Sequence, residues 1–294
     1  MSPSPPSGMT LKTVIYATDF SLCSQNAGLY AARLAAFFSA KLLVAHAFTL
    51  TQAAMEVETD PELVSEQRRD LEFLLARKAA LLASDSIDAS SILLEGEPKV
   101  VLPKLAESRR PSLIVLGTHG GGRLARKVIG SVAERVLRST RGPALTVGPS
   151  VPPPSEATFP FRRILYATDF TPAAAHAAAY AIWLAKEFRA TIDVLNVIPR
   201  GAVKHPDRLS DLTKDFYGAL DAVVPKQARE FCNPRSFVEV GKAQEQIENH
   251  IRRRSIDLLV LGIRKRSHLG IATRNSRVFR IIVDAACPVL TVTG

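Results

Sequence analysis

The residues of this chain best suited by type and spacing to anion chemistry are Gly117-Thr118-His119-Gly120 and, ten positions beyond Gly120, Gly130-Ser131-Val132. Glycine lets a backbone turn tightly and approach a ligand closely. Gly117 directly follows the apolar run Leu113 to Leu116, so the stretch emerges at the carboxyl end of a buried strand, where open α/β sheets bind ligands. Gly130-Ser131 opens a helix at Val132, and Glu134 completes a capping box with Ser131. A helix start offers unpaired N–H groups and the positive end of a dipole, which suits phosphate. Arg123, Arg126 and Lys127 add charge nearby. Each charge-assisted hydrogen bond contributes about 1.5–3 kcal/mol. Several together hold a nucleotide polyphosphate. The stretch is not a Walker loop, lacking GxxxxGK, and it is not GxGxxG after the first strand.

Asp19 ends the first apolar run, on the same sheet edge. A carboxylate repels phosphate but accepts from ribose hydroxyls or holds Mg²⁺, so it suits the sugar or metal part of a nucleotide. Ala47, 28 residues later at the end of the next strand, has a small side chain and backbone groups able to read an adenine edge. The enzyme reading is weaker, and no catalytic residue is assigned. His119 lies in the glycine stretch and is a ligand-near residue rather than a general base; His46 packs beneath the pocket; His268 has no metal-ligating companion at useful spacing. Cys23, Cys232 and Cys287 have no CxxC spacing, which argues against disulfides and structural zinc, and Cys23 at a helix start and Cys287 before a strand are expected to be small buried thiols.

These residues sit on a duplicated frame. Tyr16-Ala17-Thr18-Asp19-Phe20 recurs letter for letter as Tyr166-Ala167-Thr168-Asp169-Phe170, and from Gly96 onward the two copies keep a constant offset of 145. Each copy alternates apolar strands with helical patterns in the order β-α-β-α-β-α-β-α-β. The strands are continuously apolar rather than alternating, so helices cover both faces of a parallel sheet. The expected fold is α/β: two tandem doubly wound open parallel-sheet domains, Rossmann-like with five main strands each, packed as an internal pseudo-dimer. The expected divisions are 1–148, a proline-rich linker at 149–161, and 162–294. Helices are expected near Leu212 to Phe231 and Ala243 to Arg252 in the second copy. Each copy ends in an edge strand, and the economical solution is for the two final strands to pair across a pseudo-twofold axis.

Of the 294 residues 47% are hydrophobic, enough for two cores, with disorder expected only at the ends and the linker. The net charge of +10 lies mostly in the second copy, with 21 basic against 14 acidic residues after position 150. Arg252 to Arg254 and Arg264 to Arg266 raise an acidic or nucleic-acid partner. The absence of interleaved aromatics or a reading helix argues against nucleic acid. No stretch is long and apolar enough to span a bilayer, and Met1 to Gly8 do not resemble a signal peptide, so a cytoplasmic location is expected.

With these motifs in place, the chain strongly resembles the universal stress protein (UspA-like) family in its tandem form. The resemblance rests on G-x2-G-x9-G-[S/T], reproduced by Gly117, Gly120, Gly130 and Ser131, on Asp19 after the first strand and on Ala47 at the end of the second. It implies an ATP-binding stress-response or regulatory protein, with Mg²⁺ as companion ion. Ala17 would line the adenine pocket, and Val132 would lend a backbone N–H to phosphate. It also implies an unidentified protein partner. A slow ATPase and a nucleotide-free dimerisation scaffold are the alternatives, and a homodimer beyond the internal pairing stays open. The second copy keeps Asp169 and Val197 but has Lys265 and Asn275 where the motif needs glycine, so it is expected to bind nucleotide weakly or not at all.

Overall fold

A computed structural model describes residues 10–49, 61–120, 128–202, 209–264 and 277–294. The first half runs β1 (Thr13–Ala17), α1 (Leu22–Phe38), β2 (Lys41–Phe48), α2 (Pro61–Leu82), β3 (Ala89–Glu95), α3 (Pro98–Ser108), β4 (Ser112–Gly117), α4 (Ser131–Ser139) and β5 (Pro143–Val147). The second runs β6 (Arg163–Ala167), α5 (Pro172–Phe188), β7 (Thr191–Ile198), α6 (Leu209–Val223), α7 (Arg229–Cys232), β8 (Arg235–Val240), α8 (Ala243–Arg254), β9 (Leu258–Ile263), α9 (Arg277–Asp284) and β10 (Val289–Thr293).

The ten strands of the described residues form one open sheet, in the order β3-β2-β1-β4-β5-β10-β9-β6-β7-β8. Within each half the pairs are parallel, and the halves join where β5 and β10 run antiparallel. Leu145 faces Leu290 at that seam, and these are equivalent residues of the two copies, so the pseudo-twofold passes through this pair. Thr146 Oγ1 donates to Val289 O and Thr291 Oγ1 to Ala144 O, each at 3.2 Å, a reciprocal pair of bonds that the symmetry requires.

The apolar strands bury both faces. One core lies beneath α1, α2, α5 and α6, the other beneath α3, α4, α8 and α9. Helix starts follow local chemistry: Ser21 Oγ caps α1 by accepting from Ser24 N, and Thr171 Oγ1 caps α5 by accepting from Ala174 N.

Three expectations need correction. The linker is packed rather than loose: Val151, Phe159 and Phe161 are buried, Asn26 Nδ2 donates to Val151 O at 2.8 Å, and Tyr30 Oη donates to Pro152 O at 3.0 Å. Its apolar residues enter an aromatic cluster with Phe37 and Phe188 between the halves. The single helix expected from Leu212 to Phe231 is broken, because Pro225 cannot continue α6 and the chain restarts in a 3₁₀ turn before α7. The Ser131–Glu134 capping box does not form. Gly130 is the N-cap of α4, and Glu134 Oε1 instead accepts from Arg138 Nε at 3.1 Å.

Candidate functional site

The end of β1 is organised around Thr18. Its hydroxyl accepts from Tyr16 Oη at 3.2 Å and Phe20 N at 3.0 Å and lies 3.2 Å from Ser24 Oγ. Phe20 adopts φ +63°, a left-handed conformation that bulky side chains rarely take, and Phe170 repeats it at +59°. The turn points Asp19 out of the sheet edge. Its Oδ1 accepts from Ser21 N at 3.1 Å and Ser21 Oγ at 2.6 Å, which leaves Oδ2 directed at Gly120. A Cβ added at Gly120 would lie 2.6 Å from that oxygen. Glycine at 120 therefore leaves open the space in front of the carboxylate.

At the end of β2, His46 Nδ1 lies 2.8 Å from Thr18 O, and because a carbonyl only accepts, Nδ1 carries the proton. Asn196 Nδ2 makes the same bond to Thr168 O at 2.8 Å in the second half. His46 is thus a polar strut beneath the turn, tilted against Phe20 at 4.8 Å between ring centroids.

The glycine stretch leaves β4 at Gly117, and its described ends are clamped together where Gly130 N donates to Thr118 O at 2.9 Å. His119 Nδ1 lies 2.8 Å from Thr118 Oγ1. Gly130 then starts α4, whose Ser131, Val132 and Ala133 N–H groups have no intrahelical acceptor. Arg123, Arg126 and Lys127, expected to add charge here, lie outside the described residues, as do Lys265, Asn275 and Ser276 of the second copy.

The structure brings all eight sequence-predicted residues together. Ala17, Asp19, Ala47, Gly117, Gly120, Gly130, Ser131 and Val132 line one cavity of about 270 Å³. Sequence reasoning missed Thr18, Ser24, Pro98, Leu102, Leu116 and Ala133 in the same wall. Thr18 carried a signal in the repeated Tyr-Ala-Thr-Asp-Phe segment, and Pro98 and Leu102 lie one helical turn apart on α3. Among the described lining residues Asp19 is the only full charge, so one end of the cavity is apolar, one carries a carboxylate, and one presents main-chain N–H groups. That division matches the parts of a nucleoside phosphate.

The second half differs at the equivalent edge. Arg264 stands where the first half has His119, and its guanidinium lies 3.8 Å from Asp169 Oδ2. Gly262 survives there for packing: a Cβ on it would collide with the Ala173 backbone, whereas one on Gly117 would meet Cys23 at 3.1 Å.

The thiols are not part of the site chemistry. Burial pushes Cys232 up to about 11 and Cys287 up to about 12, while Cys23 Sγ donates to Val147 O at 3.3 Å. Among the described residues no His, Cys, Asp and Glu group could hold a metal ion on its own, and no helix is long and apolar enough to cross a membrane.

Comparison with known proteins matches the model of the universal stress protein family twice, at residues 10–148 and 160–293. A universal stress protein of Methanocaldococcus jannaschii is 30% identical over 138 residues, covering 46% of this chain and 81% of that protein. One from Thermus aquaticus is 29% identical over 136 residues, covering 46% of this chain and 98% of its own. The crystal structure of a universal stress protein from Archaeoglobus fulgidus superposes with a TM-score of 0.68 at 19% identity, covering 96% of this chain and 98% of that one.

Proposed function

The chain belongs to the universal stress protein family, and from that premise we propose that its first half binds ATP, with Mg²⁺, as a stress-response regulatory protein. The observation that carries this reading is the convergence of eight motif residues from four separate segments on one cavity. Adenine lies against Ala17, Ala47, Pro98 and Leu102. Asp19, held by Ser21, accepts from the ribose hydroxyls or holds the metal. The phosphates run past Gly120 to the N–H groups of Ser131 and Val132, where the α4 dipole favours negative charge.

The residues fit such a group. Gly120 leaves room that any side chain would take from Asp19, and the start of α4 has N–H donors that its own helix cannot satisfy. Bound Mg²⁺ would neutralise phosphate charge close to the Asp19 carboxylate. In the second half, Arg264 beside Asp169 replaces that arrangement with an exposed ion pair, which supports confining the nucleotide to the first half.

Calorimetry with ATP, ADP and AMP, with and without Mg²⁺, tests the reading. Binding with one nucleotide per chain is expected. Gly130→Asp, which sets a carboxylate among the phosphate donors, is expected to weaken ATP at least about tenfold. No binding of any adenine nucleotide at about millimolar concentration, near −4 kcal/mol, would leave a nucleotide-free scaffold as the better account. Unchanged affinity in Gly130→Asp would remove α4 from the site.

A further inference from the structure

Helix α2 covers β2 and the edge strand β3, so its outer face lies at one end of the sheet. Leu75 and Ala79 are buried and fix its inward side. The outward side carries Asp70, Phe73, Leu74 and Arg77, spaced as neighbours on one helix face, with Leu81 one turn beyond. Phe73 is 68% exposed, Leu74 46% and Leu81 74%. Single exposed apolar residues are ordinary, but three within about three turns of one stripe form a patch of the kind that marks a contact surface.

The charges beside the patch select its occupant. On the flank, Arg68 is paired with Glu72 at 3.1 Å and Glu95 at 3.4 Å, whereas Asp70 and Arg77, both exposed, make no ion pair among the described residues. They have opposite signs and bracket Phe73-Leu74 symmetrically along the helix. Such a face complements itself when reversed. With a twofold axis passing between residues 73 and 74, each Asp70 faces the partner's Arg77 and each Phe73 faces the partner's Leu74. A parallel alignment would set aspartate against aspartate and arginine against arginine. The equivalent helix of the second half, α6, places Gly218 beside Tyr217 and engages Asp221 Oδ1 with Ser236 Oγ at 2.7 Å, so it offers neither the apolar pair nor a free carboxylate.

We propose that the outer face of α2 docks on the same face of a second copy of this chain, as an antiparallel helix pair. Asp70 and Arg77 supply two reciprocal ion pairs, and Phe73 and Leu74 fill the space between them. The contact is isologous, so it closes at two chains rather than growing into a fibre. One helix pair covers less than the roughly 1,200 Å² at which stable complexes begin, so the dimer is a weak one, with a dissociation constant on the order of 10–100 µM. Nucleotide in the first half is not needed for it.

Sedimentation equilibrium of the full chain between about 5 and 500 µM tests this. A monomer–dimer equilibrium is expected, and Phe73→Ser should weaken it at least about tenfold. Asp70→Arg and Arg77→Glu each set like charges opposite one another twice, so each variant alone should dimerise at least about tenfold more weakly. An equimolar mixture of those two variants restores both oppositely charged pairs and should form a heterodimer within about threefold of the unaltered chain's affinity. All three positions are exposed, so the changes leave the core intact. A chain that stays monomeric at about 500 µM overturns the proposal and leaves the face to a different protein. Dimers that ignore Phe73→Ser or the single reversals, or a mixture that pairs no better than its components, overturn it as well.

Discussion

The three glycines of the motif do different physical work, and the two halves separate them. Gly262 persists in a half whose motif is otherwise degenerate because the first turn of α5 sits directly on it. Gly262→Ala should therefore destabilise the protein by roughly 1–3 kcal/mol through overpacking, read as a lower midpoint in urea. Gly120 answers to Asp19, the movable end of a side chain, so Gly120→Ala should leave that midpoint nearly unchanged while weakening ATP. Equal stability losses in the two variants would refute the distinction. Asp19→Ala keeps the Ser21 cap of α1 and removes only the carboxylate, so about tenfold weaker ATP binding with a folded protein is expected. These residues were legible in the sequence because glycine, aspartate and serine at fixed spacing have few uses. His46 was also legible as a residue beneath the pocket, but its partner was not: only the structure shows the bond to Thr18 O that Asn196 repeats at Thr168 O.

At the level of elements, one exchange between the halves stands out. Leu43 on β2 and Leu105 on α3 pack together in the first half's core, and their equivalents on β7 and α8 are Asp193 and His250. Asp193 is 3% exposed and accepts from His250 Nε2 at 3.1 Å and Arg254 Nε at 2.9 Å, with Arg235 Nε at 3.3 Å from its other oxygen. Burial alone would push its carboxyl up, but hydrogen bonds from His250 and Arg254 and the charges of Arg254 and Arg235 outweigh it and hold it below its ordinary value of 3.8. A depressed carboxyl contributes stability above the unfolded value and loses it as pH falls through the folded one, so this contribution should be full at neutral pH and begin to be lost only as pH falls below about 4. Arg254→Ala should cost up to about 3–5 kcal/mol by leaving the charge under-compensated, whereas Asp193→Leu with His250→Leu should be neutral or stabilising. The double variant should also flatten the acid limb of the stability profile. A large loss of stability in the double variant would contradict this account. The sequence hid the cluster because its members are 57 and 61 positions apart and a polar residue in a strand reads as solvent-facing. Pattern was equally silent on the linker, where prolines suggested looseness and Phe159 and Phe161 are anchors.

Across the whole molecule, duplication made the fold readable. The repeated order of strands and helices placed the strands, the open final edge of each copy predicted the seam, and the pairing of Leu145 with Leu290 follows from symmetry. Residues 1–148 expressed alone would expose β5, so they should self-associate as a dimer by sedimentation; a stable monomer would mean that the edge is tolerated. The architecture also divides labour. Two halves share one sheet, yet the carboxylate equivalent to Asp19 meets a guanidinium in the second and open space before Gly120 in the first. The most direct test of that asymmetry is a crystal structure of the full chain grown with ATP and Mg²⁺. The account predicts one nucleotide per chain, with adenine between Ala17 and Ala47, ribose or metal at Asp19, and phosphates at Ser131 and Val132. Nucleotide bound in the second half alone, or a first-half cavity that stays empty at saturating ATP, would contradict it.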